Sequence, residues 1–160
     1  PGVPYLEREP VYLRNTFNIE EELYETLMGH IEDYERLTPE VVEWEEAVRA
    51  EDTLLLVAHG IVGRAAKDAA ERLQREGWPV GYFRPLTVRP FPGEALRKIV
   101  SANPELRILV VESAYGQLLA MVKAELYGYS NPLEALLRPG VGVTTEEIEE
   151  TAKRLGKKEG

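Results

Sequence analysis

The stretch Thr53-Leu54-Leu55-Leu56-Val57-Ala58-His59-Gly60-Ile61-Val62-Gly63-Arg64 decides the fold. Six residues without a charge, followed by a glycine turn, read as a strand covered on both faces, because a strand with one wet face would alternate. From Ile61 to Glu76 the apolar positions recur at helical spacing, and Gly77 closes the helix. Ala65, Ala66, Ala69 and Ala70 fall on one side of that helix, with Leu73 extending the row. Such small side chains let a helix lie close to a sheet or to another subunit.

Downstream the grammar repeats. Val80–Arg84 is a second strand, preceded by Pro79, which cannot donate a ladder hydrogen bond. The rigid run Pro85-Leu86-Thr87-Val88-Arg89-Pro90-Phe91-Pro92-Gly93 leads into a helix from Glu94 to about Ala102. A third strand covers Arg107–Glu112, a helix follows from Gly116 to about Tyr127, and Leu133–Leu137 is a short edge strand. Thr144 or Thr145 caps a last helix that runs to Leu155, with Glu146 and Glu147 in its first turn. Alternating strands and helices at this spacing predict a mostly parallel open α/β sheet with helices on its faces and right-handed crossovers.

Upstream of residue 51 the chain is different. Pro1, Pro4 and Pro10 among Tyr5, Leu6, Tyr12 and Phe17 read as an extended arm with aromatic anchors. Leu23, Leu27, Ile31 and Tyr34 make the apolar stripe of a first acidic helix. Thr38-Pro39-Glu40 reads as the cap, N1 proline and first-turn acid of a second helix running to about Ala50, with Val41, Trp44 and Val48 inward. The expected organisation is therefore 1–50 as arm and linker helices and 51–160 as an α/β domain.

Charge follows the same division. The first 50 residues carry thirteen carboxylates and four cations, whereas the remainder has fifteen of each. An acidic preamble repels phosphate backbones and anionic lipid, so neither nucleic acid nor a membrane is an expected partner. There are no cysteines, which excludes disulfides, thiol catalysis and iron–sulfur clusters held by this chain. The longest apolar runs are far short of the roughly 20 residues of a membrane-spanning helix. No basic segment followed by an apolar one opens the chain, so no signal peptide and a cytoplasmic location are expected. The start at Pro1 fits either a processed terminus or a piece of a longer polypeptide.

Few residues look reactive. His59-Gly60-Ile61-Val62-Gly63-Arg64 ends a strand and opens a helix, where anions bind in open α/β sheets. The spacing is GxxG, not GxGxxG, and no Lys-Ser/Thr follows. Gly60 then serves the turn, Gly63 close helix packing, and Arg64, which opposes the helix dipole, an ion pair or interface. His59 and His30 are too far apart in sequence to form a metal set, and His59 reads as a loop or contact residue. Glu112 ends the third strand beside Ser113, Tyr115 and Gln117, and is a candidate partner for an arginine such as Arg84 or Arg89. Ser113 is not framed as a nucleophile elbow. The residues by themselves describe an α/β module without a complete active site.

The run from Gly60 to Ala66, the run from Leu73 through Arg84-Pro85-Leu86-Thr87-Val88-Arg89-Pro90-Phe91-Pro92, and Ile108-Leu109-Val110-Val111-Glu112-Ser113-Ala114-Tyr115-Gly116-Gln117-Leu118 together resemble a known family. They are similar to the C-terminal domain of the alpha subunit of 2-oxoacid:ferredoxin oxidoreductases, itself similar to the C-terminal domain of transketolase. The resemblance covers Thr53–Leu126 best. It implies that thiamine diphosphate with Mg2+ sits between other domains, one upstream on the alpha chain and one on a beta subunit. It also implies that iron–sulfur clusters and ferredoxin contacts belong elsewhere in the complex. On that view no residue here is catalytic and this chain binds no cofactor alone. His59, Gly60, Gly63, Arg64, Arg84, Arg89, Glu112, Tyr115 and Gln117 become turn and interface residues, with room for a homodimeric contact. Two alternatives stay open: a transketolase or 2-oxoacid dehydrogenase E1-type enzyme, and a non-enzymatic α/β interaction module.

Overall fold

A computed structural model describes residues 16–156. The expected arm lies almost wholly outside the described residues. The chain divides between Glu40 and Val41 into two compact units.

The second unit holds a five-stranded sheet. Its strands are β1 (Trp44–Ala47), β2 (Leu54–Val57), β3 (Val80–Pro85), β4 (Arg107–Glu112) and β5 (Leu133–Leu137). They lie in the order β1-β3-β2-β4-β5. β2 pairs in parallel with β3 and β4, and β4 in parallel with β5, whereas β1 runs antiparallel to β3. The helices are α1 (Glu20–Val41), which precedes the sheet, and α2 (Gly60–Arg75), α3 (Gly93–Ala102), α4 (Gln117–Glu125) and α5 (Thr145–Leu155). The mostly parallel open α/β sheet flanked by helices is thus the observed architecture.

Why β2 is apolar at every position is visible in the two cores. Leu54 and Leu56 point into one cluster with α2 and α5, through Ala66, Ala69, Ala70, Leu73, Ile148 and Ala152. Leu55 and Val57 point into the other with Leu96 and Val100 of α3 and Leu118 and Val122 of α4. Alternate residues of one strand therefore serve two cores. Burying each leucine or valine contributes roughly 1.5–3 kcal/mol. Ala66, Ala69 and Ala70 of the alanine row are buried within this chain and Ala65 partly so, against the sheet and α5, whose Ile148 and Ala152 join the same cluster.

The second acidic helix expected at 38–50 does not form. α1 continues through Pro39 to Val41, and residues 44–47 become β1. Thr38 is no cap: its hydroxyl donates to the Tyr34 carbonyl at 2.7 Å, one turn back. Val41, Trp44 and Val48 fit a helical spacing, but the free edge of β3 offers backbone partners that four residues in extended form can satisfy. Trp44 through Ala47 pair with Pro85 back to Tyr82. Tertiary pairing outweighs local propensity here. The sheet accordingly begins before residue 50.

Two buried details complete the frame. Asp52 is fully buried, yet both of its oxygens are used: Oδ2 accepts the Arg49 amide at 2.7 Å and Oδ1 the Arg49 guanidinium at 2.7 Å. That hydrogen bond raises the Arg49 guanidinium above its ordinary value, against a smaller opposing effect of burial. At the other end, Thr144 and Glu147 form a capping box at the start of α5. The Thr144 amide, followed by Arg138, holds the Glu147 carboxyl below its ordinary value.

Candidate functional site

The strand order puts three connections side by side at the carboxyl ends of β3, β2 and β4, the place where open α/β sheets present ligand sites. The central one is the β2–α2 turn. His59 is extended (φ −123°, ψ 172°) and stands at the N-cap, but its side chain makes no cap hydrogen bond. Its carbonyl accepts the Gly63 amide at 2.9 Å. Gly60 turns at φ 58°, a left-handed conformation that suits glycine.

Arg84 fixes this turn from the neighbouring strand. Its Nη2 donates to the Gly60 carbonyl at 3.3 Å and its Nη1 to Glu45 Oε2 on β1 at 3.1 Å. The Arg84 stem lies flat against Gly63, where a Cβ would come within 2.9 Å of Cγ, Cδ and Nε. Gly63 is thus required by an arginine passing over the helix, a closer reason than helix packing in general. One side chain ties β1, β3 and α2 together.

The third connection is the β4–α4 turn. Glu112 is buried, and its carboxylate accepts the Leu118 amide at 2.9 Å and the Leu119 amide at 3.3 Å. Gly116 holds the N-cap at φ 102° and has no side chain to cap with. The strand's last residue supplies the missing acceptor, and carboxylate charge at a helix N-terminus is favourable. Gln117 Oε1 accepts the Tyr115 amide at 2.9 Å, which completes the turn. The expected pairing of Glu112 with Arg84 or Arg89 is therefore corrected. β2 lies between the strands bearing Arg84 and Glu112, and each has found partners of its own.

In the β3–α3 loop, the Leu86 and Thr87 amides donate to the Glu43 carbonyl, and the Arg89–Pro90 peptide is cis. Arg64 and Arg89 are exposed, and their side chains make no hydrogen bond or ion pair to other described residues. Tyr115 is 84% exposed. The structure therefore brings His59, Gly60, Gly63 and Arg84 together around one turn and Glu112, Tyr115 and Gln117 around another. Arg64 and Arg89 stand apart from both. Glu45 and Asp52 are structural anchors that sequence reasoning passed over. Asp52 carried a legible signal, an acid directly before a buried strand and three residues after an arginine.

Both oxygens of the Glu112 carboxylate hold amides of α4, and the buried Arg84 Nε has no hydrogen-bond partner among the described residues. Among the described residues no group of three or more His, Cys, Asp or Glu side chains is placed to hold a metal ion. With no cysteine in the chain, the donor set does not fit an iron–sulfur cluster. No described helix is long and apolar enough to cross a membrane.

Residues 52–150 match the family described as pyruvate:ferredoxin oxidoreductase core domain II. The chain belongs to this family. The chain is also similar to curated relatives. Over 87 residues it is 36% identical to the ketoisovalerate oxidoreductase subunit VorB of Methanothermobacter thermautotrophicus, covering 54% of this chain and 24% of that one. Over 80 residues it is 35% identical to the 2-oxoglutarate synthase subunit KorA of Methanocaldococcus jannaschii, covering 49% and 20%. The matched part is thus a small fraction of either relative. In fold, the chain is similar to a 2-oxoglutarate:ferredoxin oxidoreductase from Magnetococcus marinus (TM-score 0.67, 20% identity, 88% of this chain and 24% of that one). It is also similar to a split-gene transketolase (TM-score 0.56, 20% identity, 69% and 40%).

Proposed function

We propose that this domain is a structural and assembly domain of a thiamine-diphosphate-dependent 2-oxoacid:ferredoxin oxidoreductase, an enzyme that oxidatively decarboxylates a 2-oxoacid to acyl-CoA. One observation carries the reading: Glu112 and Arg84, the polar side chains that have partners at the strand ends, use them to hold turns and strands of this same domain. Glu112 serves α4 and Arg84 serves α2 and β1. Thiamine diphosphate, with Mg2+, supplies the decarboxylation chemistry when bound between other domains, and iron–sulfur clusters elsewhere pass electrons to ferredoxin. This chain contributes rigid surfaces to its neighbours, namely other alpha-chain domains and the beta subunit, in the cytoplasm.

The test is a comparison of two assays. The 160 residues alone, given oxoacid, thiamine diphosphate, coenzyme A and an electron acceptor, should show no turnover. The same chain joined to the remaining domains and subunits should restore it. Turnover by the chain alone overturns the reading. Because the transketolase fold is shared, a transketolase-type assembly is the second reading. A requirement for cluster-bearing subunits separates the two.

A further inference from the structure

The two margins of the sheet are built differently. β1 carries Glu45 and Glu46 within its four residues, the kind of charge by which edge strands deter pairing. β5 reads Leu133-Glu134-Ala135-Leu136-Leu137, with no proline or lysine inside it. Its one charge is drawn back over β4, where Arg107 donates to Glu134 Oε1 at 2.6 Å.

The ladder fixes which groups of β5 look outward. The Ile108 amide donates to the Pro132 carbonyl and the Arg138 amide to the Glu112 carbonyl. In a parallel ladder alternate residues turn both backbone groups to the same neighbour. Residues 132, 134, 136 and 138 therefore face β4, whereas Leu133, Ala135 and Leu137 face away. β5 ends the sheet, and the outward amides and carbonyls of these residues have no partner on that side. Ala135 is exposed, and Leu133 and Leu137 are half-buried. Free backbone groups at every second residue match the spacing of another strand.

The sequence of β5 also matches itself run backwards. Antiparallel about Ala135, Leu133 meets Leu137, Ala135 meets Ala135, and Glu134 meets Leu136. Every outward residue then falls in a hydrogen-bonded pair, the smallest side chain sits on the axis, and no like charges are opposed. Just outside the strand Pro132 meets Arg138, whose guanidinium is held by Glu147 of its own chain. Sliding by two residues one way leaves Leu137 outside the paired strand and sets Glu134 against Glu134. Sliding the other way leaves Leu133 outside and crowds Leu136 against Leu136. Leu133 already packs on the core shared with α3 and α4, so pairs of Leu133 with Leu137 carry that core across the junction. Joining β5 to the β1 of a second copy would instead be head-to-tail, and would oppose its leucines to Glu45 and Glu46.

We propose that two copies of this chain join through β5, antiparallel about a two-fold axis at Ala135, so that their five-stranded sheets run on as one. The pairing stands on the sheet edge and is independent of the assembly reading above.

The chain has no cysteine, so a single introduced one reports its own neighbour. Opposed Cα atoms of a hydrogen-bonded pair lie about 5.5 Å apart, within disulfide reach. Under mild oxidation Ala135→Cys should give a linked dimer of twice 18.1 kDa. It should do so about ten-fold or more faster than Ala47→Cys on the β1 edge. Sedimentation of the unaltered chain should show the same dimer without the link. Ala135→Pro removes an outward amide while leaving the bonds to β4 intact, and should weaken dimerisation about ten-fold or more. Ala135→Lys and Ala135→Glu should each be monomeric alone and should associate with each other when mixed, a recovery that misfolded variants would not give. A chain that sediments as a monomer overturns the proposal, as does a link at 135 no faster than at 47, or charge variants that fail to recover on mixing. So does an assembled oxidoreductase in which another subunit occupies this edge and Ala135→Cys chains never link to each other.

Discussion

The β2–α2 and β4–α4 turns occupy equivalent places at the ends of adjacent parallel strands, yet they are secured in opposite ways. At β4–α4 a buried carboxylate reaches forward from the strand and accepts two amides of the helix it precedes. At β2–α2 the N-cap histidine contributes no side-chain bond, and the turn is held by an arginine from the next strand that clasps its carbonyl. One turn is self-contained and the other is borrowed. Damage to the first should stay local, whereas damage to the second should spread to β1 and β3.

The strongest way to sharpen the contrast is Glu112→Ala. It leaves two α4 amides without their buried acceptor and should cost about 3 kcal/mol, read from the urea midpoint at constant slope. Amide exchange at Leu118 and Leu119 should accelerate selectively. Gly63→Ala comes next, at about 2 kcal/mol, because the new Cβ meets Arg84 at 2.9 Å. Its loss should be largely non-additive with Arg84→Ala, since removing the arginine vacates the space. Independent, additive losses would break the account of a borrowed turn. Glu112→Gln retains one acceptor oxygen and should cost about 1 kcal/mol. His59→Ala should change stability by no more than about 0.5 kcal/mol, as expected of a residue whose side chain makes no cap bond.

A smaller effect concerns pH. Glu147 has its carboxyl held below the ordinary 4.5 by the Thr144 amide, followed by Arg138. A depressed folded-state value means that its stabilising contribution is complete above 4.5 and fades as the pH falls from there through the lower folded value. Replacing Glu147 with Gln should therefore lower stability modestly above pH 4.5, with the two proteins converging as the pH falls, so that the acid limb of the unfolding profile is flatter.

The layered sheet was legible because its signal is local: Leu54–Val57 has no polar position, and the alanine row of α2 repeats at helical spacing. β1 was not legible. Nothing in Trp44-Glu45-Glu46-Ala47 announces a strand, and its existence depends on a free edge nearly forty residues away. The site shows the same limit. Gly60 and Gly63 could be read as turn and close-approach residues from type alone, and Glu112 could be read as important from its place at a strand end. Its partners could not, because backbone amides carry no letter in the sequence. Arg84 was visible as a charge, but its choice of Glu45 over Glu112 follows from strand order, which crossover chirality constrains without fixing.

β1 has a practical consequence for anyone dissecting this polypeptide. Because it runs antiparallel along β3, it seals the edge of that strand, and the pleated surface ends in β1 on one side and β5 on the other. Severing the chain after Ala50, where composition invites a cut, would strip that seal and bare the longer, six-residue margin of β3 to other molecules. Severing it just before Val41 would keep the seal in place.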